Sequence, residues 1–194
     1  MKRILVGALV LLALAGCTAN GNLADQYSDG SGQGYVSGDG AETEIPAAKR
    51  TDAIAFQGPA TNGETISSDD FAGQVQVINF WYASCPPCRV EAADLKALSE
   101  EYNDVGFVGV NTTDDIAFAN TFEKDFGIAY PSILDAKSNA VQLAFATAGF
   151  VAPNAVPTTL VIDREGRVAA RISGLVRDKS ILAAMIDAVV AESD

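Results

Sequence analysis

The apolar run Val75 to Trp81 leads through Tyr82-Ala83-Ser84 into Cys85-Pro86-Pro87-Cys88, and a helical pattern then runs to about Tyr102. The run is short and β-branched enough for a buried strand, so the two cysteines fall at a strand-to-helix junction. A thiol there faces unpaired backbone N–H groups and the positive end of the helix dipole, both of which favour a thiolate. Pro86 and Pro87 suit the first helical turn, where N–H groups need no intrahelical partner. Two thiols within one helical turn can close a disulfide and reopen it. A bridge across two intervening residues constrains little of the unfolded chain, so this pair does not exist for stability. The pattern predicts dithiol–disulfide chemistry, with Cys85 exposed at the helix tip and Cys88 deeper.

The rest of the composition narrows the alternatives. The formal net charge is −12, which argues against nucleic acid and against an anionic lipid surface as partner. The chain has no histidine and three cysteines. That excludes His-containing metal sites and any nucleophile–His pair. With one cysteine assigned to lipid, a four-cysteine zinc site cannot be built either. No metal and no cofactor enter this reading.

The amino terminus has its own logic. Met1-Lys2-Arg3 is basic, and Ile4 to Ala15 is an apolar run broken only by Gly7. It is shorter than the ~20 residues a spanning helix needs and has the form of a signal peptide over residues 1–16. Leu14-Ala15-Gly16-Cys17 resembles the bacterial lipobox, in which the cysteine is acylated and becomes the first mature residue; the alternative is a plain secretory signal. Either way the mature chain works outside the cytoplasm, where disulfides persist. Residues 17–50 are rich in Gly, Ser, Asp, Asn and Ala, without apolar periodicity over Tyr27 to Gly40. They are expected to form a flexible tether with an r.m.s. span of roughly 30 Å. The folded domain is expected over residues 51–194.

Within it, Ala53 to Phe56 and Glu64 to Ile66 around Asn62-Gly63 predict a β-hairpin. Ser68 to Phe71 predicts a helical turn ended by Gly73. Strands are expected at Val75–Trp81, Val105–Val110 and Tyr130–Leu134. Asp114-Asp115 reads as a helix cap ahead of Ile116, Ala119, Phe122 and Phe126, and Asn139 to Phe145 as a further helix. A strand into Asp163, a turn at Asp163–Gly166, its partner Arg167–Ile172 and a helix Asp178–Val190 close the chain. Asn111-Thr112-Thr113 matches a glycosylation sequon by chance. On the cysteine helix, Cys88, Glu91, Ala92, Leu95, Leu98 and Tyr102 share one face. Glu91 is its only acid. It is either a buried proton acceptor and donor for the thiols, its pKa raised by burial, or a solvated acid favoured by the helix dipole.

Three features carry a resemblance to the thioredoxin superfamily, and within it to the TlpA/ResA-like extracytoplasmic branch. Trp81-Tyr82-Ala83-Ser84-Cys85-Pro86-Pro87-Cys88 resembles the W-x-x-x-C-x-x-C site. Val156-Pro157-Thr158 resembles the cis-proline loop. Asp70-Phe71-Ala72-Gly73-Gln74-Val75 resembles the segment entering the active-site strand. The likeness covers about Ala53 to Ala191. It implies a thioredoxin-like α/β fold: a mixed central sheet flanked by helices, an N-terminal β-hairpin, and a helix–strand–helix insertion around Asp114 to Phe150. Asn79 stands where classical thioredoxin has a buried aspartate, and Glu91 matches the branch's active-site glutamate. Tyr82 and Ser84 depart from the commoner Ala and Trp.

The resemblance implies a thiol:disulfide oxidoreductase. Cys85 attacks, Cys88 resolves, Glu91 handles the proton, Val156 and Pro157 hold the substrate, and Trp81 shapes the rim or packs in the core. Arg89 either stabilises the thiolate or is solvated. It further implies reduction of exported proteins, with apocytochrome c haem-site cysteines as substrate and a polytopic membrane thiol carrier of the CcdA/DsbD kind as electron donor. The rivals are an oxidase or isomerase on the same fold and a lipid-anchored binding module with an inert bridge. A peroxiredoxin would have threonine where Tyr82 stands. A copper-handling Sco-type protein would need a histidine.

Overall fold

In a computed structural model of the chain, residues 41–152 and 155–192 are described. The expected signal peptide, the expected lipidation site Cys17 and residues 18–40 of the expected tether lie outside them. The central sheet has six strands: β1 Ala41–Glu44, β4 Gln76–Trp81, β5 Gly106–Asn111, β6 Ser132–Leu134, β7 Thr158–Ile162 and β8 Val168–Ser173. Their order is β1-β8-β7-β4-β5-β6. β4, β5 and β6 run parallel; β7, antiparallel to β4, starts the β7–β8–β1 antiparallel half. A separate hairpin pairs β2 Gln57–Pro59 with β3 Thr65–Ser67. Four helices complete the fold: α1 Pro86–Glu101, α2 Ile116–Phe126, α3 Ala140–Thr147 and α4 Lys179–Val190. This is the mixed, helix-flanked sheet the sequence predicts, and α2–β6–α3 is the expected insertion.

All six residues of β4 are buried, which is why the strand reads as a near-continuous apolar run. Its alternation still sorts them. Ile78 and Phe80 enter the core formed with Phe56, Ile66, Val141 and Phe145. Val77 enters the opposite core with Leu95, Leu98, Leu182, Met185 and Ile186 of α1 and α4. Asn79 and Trp81 share the Val77 side of the pleat.

Two boundaries differ from expectation. The described fold includes residues ahead of 51: Ala41–Glu44 pairs with Ser173–Ala170 of β8, and Arg50 reaches Asp163 and Glu192. The strand is held by backbone pairing on a sheet edge, which leaves no apolar period to read. The hairpin's first strand is Gln57–Pro59 rather than Ala53–Phe56. Ile54 instead donates its N–H to Gly166 O, and Phe56 turns into the core. The Asn62-Gly63 turn stands where expected. Gly63 has φ +86°, a conformation that favours glycine.

Candidate active site

The reacting pair is set up by proline. Cys85 is the N-cap of α1, and Pro86 and Pro87 occupy the next two positions. Neither has an N–H. Cys88 therefore carries the first backbone donor of the helix, and that N–H points at Cys85 Sγ at 3.3 Å. The same donor would stabilise a Cys85 thiolate once the bond is reduced. Here the two cysteines form a disulfide, with S–S 2.08 Å and Cα–Cα 5.3 Å.

Cys85 is not exposed, contrary to expectation: its accessible surface is 0% and that of Cys88 is 2%. In the oxidised pair both sulfurs sit in a cluster with Trp81, Tyr82, Ala92, Ala119, Phe122 and Val156. Sequence spacing locates the helix tip but not the side chains that fold over it. A substrate sulfur can reach Cys85 Sγ only by displacing part of this cover.

Glu91 faces the interior at 1% exposure, one helical turn beyond Cys88. Its Oε1 accepts from Asn79 Nδ2 at 2.9 Å and its Oε2 from the Val176 N–H at 2.9 Å. Burial raises its pKa, the two donors oppose that, and Asp94 adds to it; the carboxyl is pushed up to about 7. It can hold or release a proton near neutral pH.

Val156 and Pro157 are joined by a cis peptide. Val156 packs in the same cluster as both cysteines, so a residue far along the chain is brought to the pair. Trp81 is buried at 3% and lies in the same cluster as the two cysteines. Its ring lies 4.3 Å from that of Phe122. Arg89 is exposed, donates to Ala83 O at 3.1 Å and sits over the Phe126 ring at 5.0 Å.

Asp114 and Asn111 shape the site in a role other than the cap and the chance sequon expected of them. Asp114 Oδ2 accepts from the Ala83 N–H at 2.6 Å and from Asn111 Nδ2 at 2.8 Å. The loop ahead of Cys85 is thereby tied to the end of β5. Asp115 alone caps α2, through the N–H groups of Ala117 and Phe118. Asn111, fully buried, belongs to this brace and is closed to glycosylation in the folded state. Among the described residues no cluster of Cys, Asp and Glu is placed to hold a metal, and no helix is long and apolar enough to cross a membrane.

Comparison with known proteins agrees with this geometry. The Redoxin family profile matches residues 41–186. The thiol:disulfide interchange protein HelX of Rhodobacter capsulatus is 29% identical over 183 residues, covering 94% of each chain. The thiol-disulfide oxidoreductase ResA of Bacillus subtilis is 29% identical over 133 residues, 68% of this chain and 70% of its own. Among solved structures, a DsbF homologue from Corynebacterium diphtheriae superposes with TM-score 0.67 at 31% identity, covering 76% of this chain and 92% of that one. A secreted thiol-disulfide isomerase from Corynebacterium glutamicum gives TM-score 0.67 at 31% identity, covering 77% and 94%. The chain belongs to the Redoxin family, and with its CxxC disulfide on a thioredoxin-like fold it is a thiol:disulfide oxidoreductase of the ResA, DsbE and HelX type.

Proposed function

We propose that the protein reduces disulfides of exported proteins outside the cytoplasm, tethered to the membrane through a lipid on Cys17. The observation that carries the direction is the buried Glu91 one turn beyond Cys88. A carboxylate there disfavours a thiolate beside it, which stabilises the disulfide and makes the dithiol a reductant.

In the reduced protein the Cys85 thiolate attacks one sulfur of a substrate disulfide, and the other leaves as a thiolate. The Cys88 thiol gives its proton to Glu91 and attacks Cys85 Sγ. The second substrate sulfur departs, Glu91 returns its proton to a leaving thiolate, and two electrons have passed to the substrate. Val156, in the cluster of the pair, and Pro157, joined to it by the cis peptide, receive the substrate backbone in extended form. A membrane thiol carrier of the CcdA/DsbD kind restores the dithiol. Apocytochrome c with its two haem-site cysteines oxidised is the substrate class this reading favours. The domain organisation is a signal peptide over 1–16, a lipidated tether, and the catalytic domain from Ala41 onward. HelX and ResA relatives support the chemistry, and the secreted relative supports the compartment.

The test is to trap the intermediate. A Cys88→Ser variant purified from the envelope should hold its partners as mixed disulfides on Cys85, releasable by dithiothreitol and identifiable by mass. Recovery of no mixed disulfide, or a reduction potential as high as that of a strong oxidant such as DsbA (about −120 mV), would overturn the reductant reading.

A further inference from the structure

Trp81 has one polar atom, an N–H that can only donate. It crosses β5 to reach β6, where Trp81 Nε1 donates to Ser132 Oγ at 3.1 Å. The crossing passes over Gly109, the sheet partner of Ser132. A Cβ on Gly109 would fall 2.1 Å from Ser132 Oγ and 2.6 Å from Trp81 Nε1, so only glycine leaves room for the bond.

Ser132 is held from several sides. Its hydroxyl accepts from Trp81, and it lies near enough to the Glu123 carboxyl on α2 to oppose the rise that burial gives the Glu123 pKa. Thr61, in the hairpin turn, accepts the Ser132 N–H on Oγ1 at 3.1 Å and donates its own N–H to Ser132 O at 2.8 Å. With its oxygen occupied, the Thr61 hydroxyl donates to Glu123 Oε1 at 3.1 Å. The chain of bonds thus runs from the Glu123 carboxylate through Thr61 and Ser132 and ends on the indole. Phe122, next to Glu123, supplies the ring against which that indole lies. The hairpin, α2 and β6 thus all act on a ring that shares the buried cluster of the disulfide.

We infer that Ser132, with Glu123 behind it and Gly109 beneath, is a positioning residue that sets the redox equilibrium of Cys85–Cys88 by fixing Trp81 against the pair. The inference rests on Cys85–Cys88 being the reacting pair. An indole freed from Ser132 admits water to the sulfurs. Hydration favours the thiolate over the neutral thiol and so favours the dithiol form.

The experiment compares Ser132→Val with Ser132→Thr in the full chain, since the two side chains have the same shape and differ in the hydroxyl. Redox equilibrium with glutathione is followed through the emission of Trp81, the single tryptophan. Ser132→Val should shift the equilibrium constant about three- to tenfold toward the dithiol, about 15–30 mV more oxidising, and change the emission of Trp81 in the oxidised protein. Ser132→Thr should retain the wild-type potential. Glu123→Leu, on a helix that tolerates leucine, should shift the equilibrium in the same direction and serves if Ser132→Val does not fold. Equal potentials in Val, Thr, Glu123→Leu and wild type overturn the inference, as does an equal shift in Val and Thr. A wild-type protein that never equilibrates with glutathione overturns the reading of the pair, and this inference with it.

Discussion

Asn79 Nδ2 donates to two groups at once, Glu91 Oε1 at 2.9 Å and Thr159 Oγ1 at 3.0 Å. Asn79 is on β4, Glu91 on α1, and Thr159 on β7 two residues past Pro157. The amide therefore joins the Glu91 carboxyl to the strand that leaves the cis peptide. An aspartate at this position would place a second acid against Glu91. An amide instead offers it a donor.

Removing that donor should raise the Glu91 pKa further. A lost hydrogen bond to a buried carboxylate is worth about 1–2 kcal/mol, or roughly one pKa unit. In Asn79→Leu, the pH midpoint governing thiol–disulfide exchange should move up by about one unit from near 7. Asp94 and Tyr130, the other titratable groups that feel Glu91, are untouched by the change. A stopped-flow pH profile of the reduced protein against a peptide disulfide checks this. An unshifted profile would detach Glu91 from the proton transfer.

The same carboxyl makes stability depend on pH. Glu91 is raised from 4.5 to about 7 in the folded chain, so between those values the folded state binds more protons than the unfolded one. Stability then falls as pH rises through that window and is level above it. Ionising Glu91 in place should cost about 3 kcal/mol. Urea unfolding of the oxidised protein at pH 4.5 and pH 8 should show this loss, and Glu91→Gln should remove most of the difference between the two pH values.

Arg50 is the residue that makes the N-terminal segment part of the domain. Its side chain is buried and donates to Asp163 Oδ2 at 2.9 Å, to both oxygens of Glu192 and to Ile45 O at 3.0 Å. Burial alone would raise the Asp163 carboxyl, but the Arg167 N–H and the Arg50 and Arg167 side chains outweigh it and hold it below the usual range. Arg50→Ala leaves Asp163 short of a partner and should cost about 3 kcal/mol. Arg50→Lys should recover only part of that, because the planar fork serves several acceptors at once. Urea midpoints above pH 5 read both variants. The cost should shrink as pH falls and Asp163 is protonated.

These residues also show what was legible beforehand. The strand β4 and the cysteine helix follow from local periodicity, because each depends on residues within a few turns. Periodicity places Glu91 on the apolar face but leaves open whether it is buried or solvated, and the resemblance favours burial. The partners of Glu91 did not follow: the Val176 N–H lies 85 residues away, and only the closed sheet brings it near. Strand β1 escaped for the opposite reason. Ala-Glu-Thr-Glu has no apolar signal, and its place is set by backbone pairing with β8 and by Arg50. The burial of Cys85 escaped because cover is a tertiary property. Tyr82, Ala119 and Val156, from three separate parts of the chain, join the pair in one buried cluster.

Asp114 offers the sharpest check on how the cysteine loop is held. Its carboxylate takes the Ala83 N–H at 2.6 Å, two residues before Cys85, and the Asn111 amide at 2.8 Å. Asn111 Oδ1 in turn accepts from the N–H groups of Thr113 and Asp114, so the brace is one connected set. Asp114→Ala leaves a backbone donor and a buried amide unpaired, at about 1–3 kcal/mol. Much of that cost should fall on the loop itself. Hydrogen exchange at the Ala83 amide should accelerate about tenfold or more, with helix α1 beyond Arg89 unaffected. Asp114→Asn, which keeps one acceptor oxygen, should restore much of the protection. If Ala83 exchanges at the wild-type rate in Asp114→Ala, the brace does not hold the loop, and the position of Cys85 depends on α1 alone.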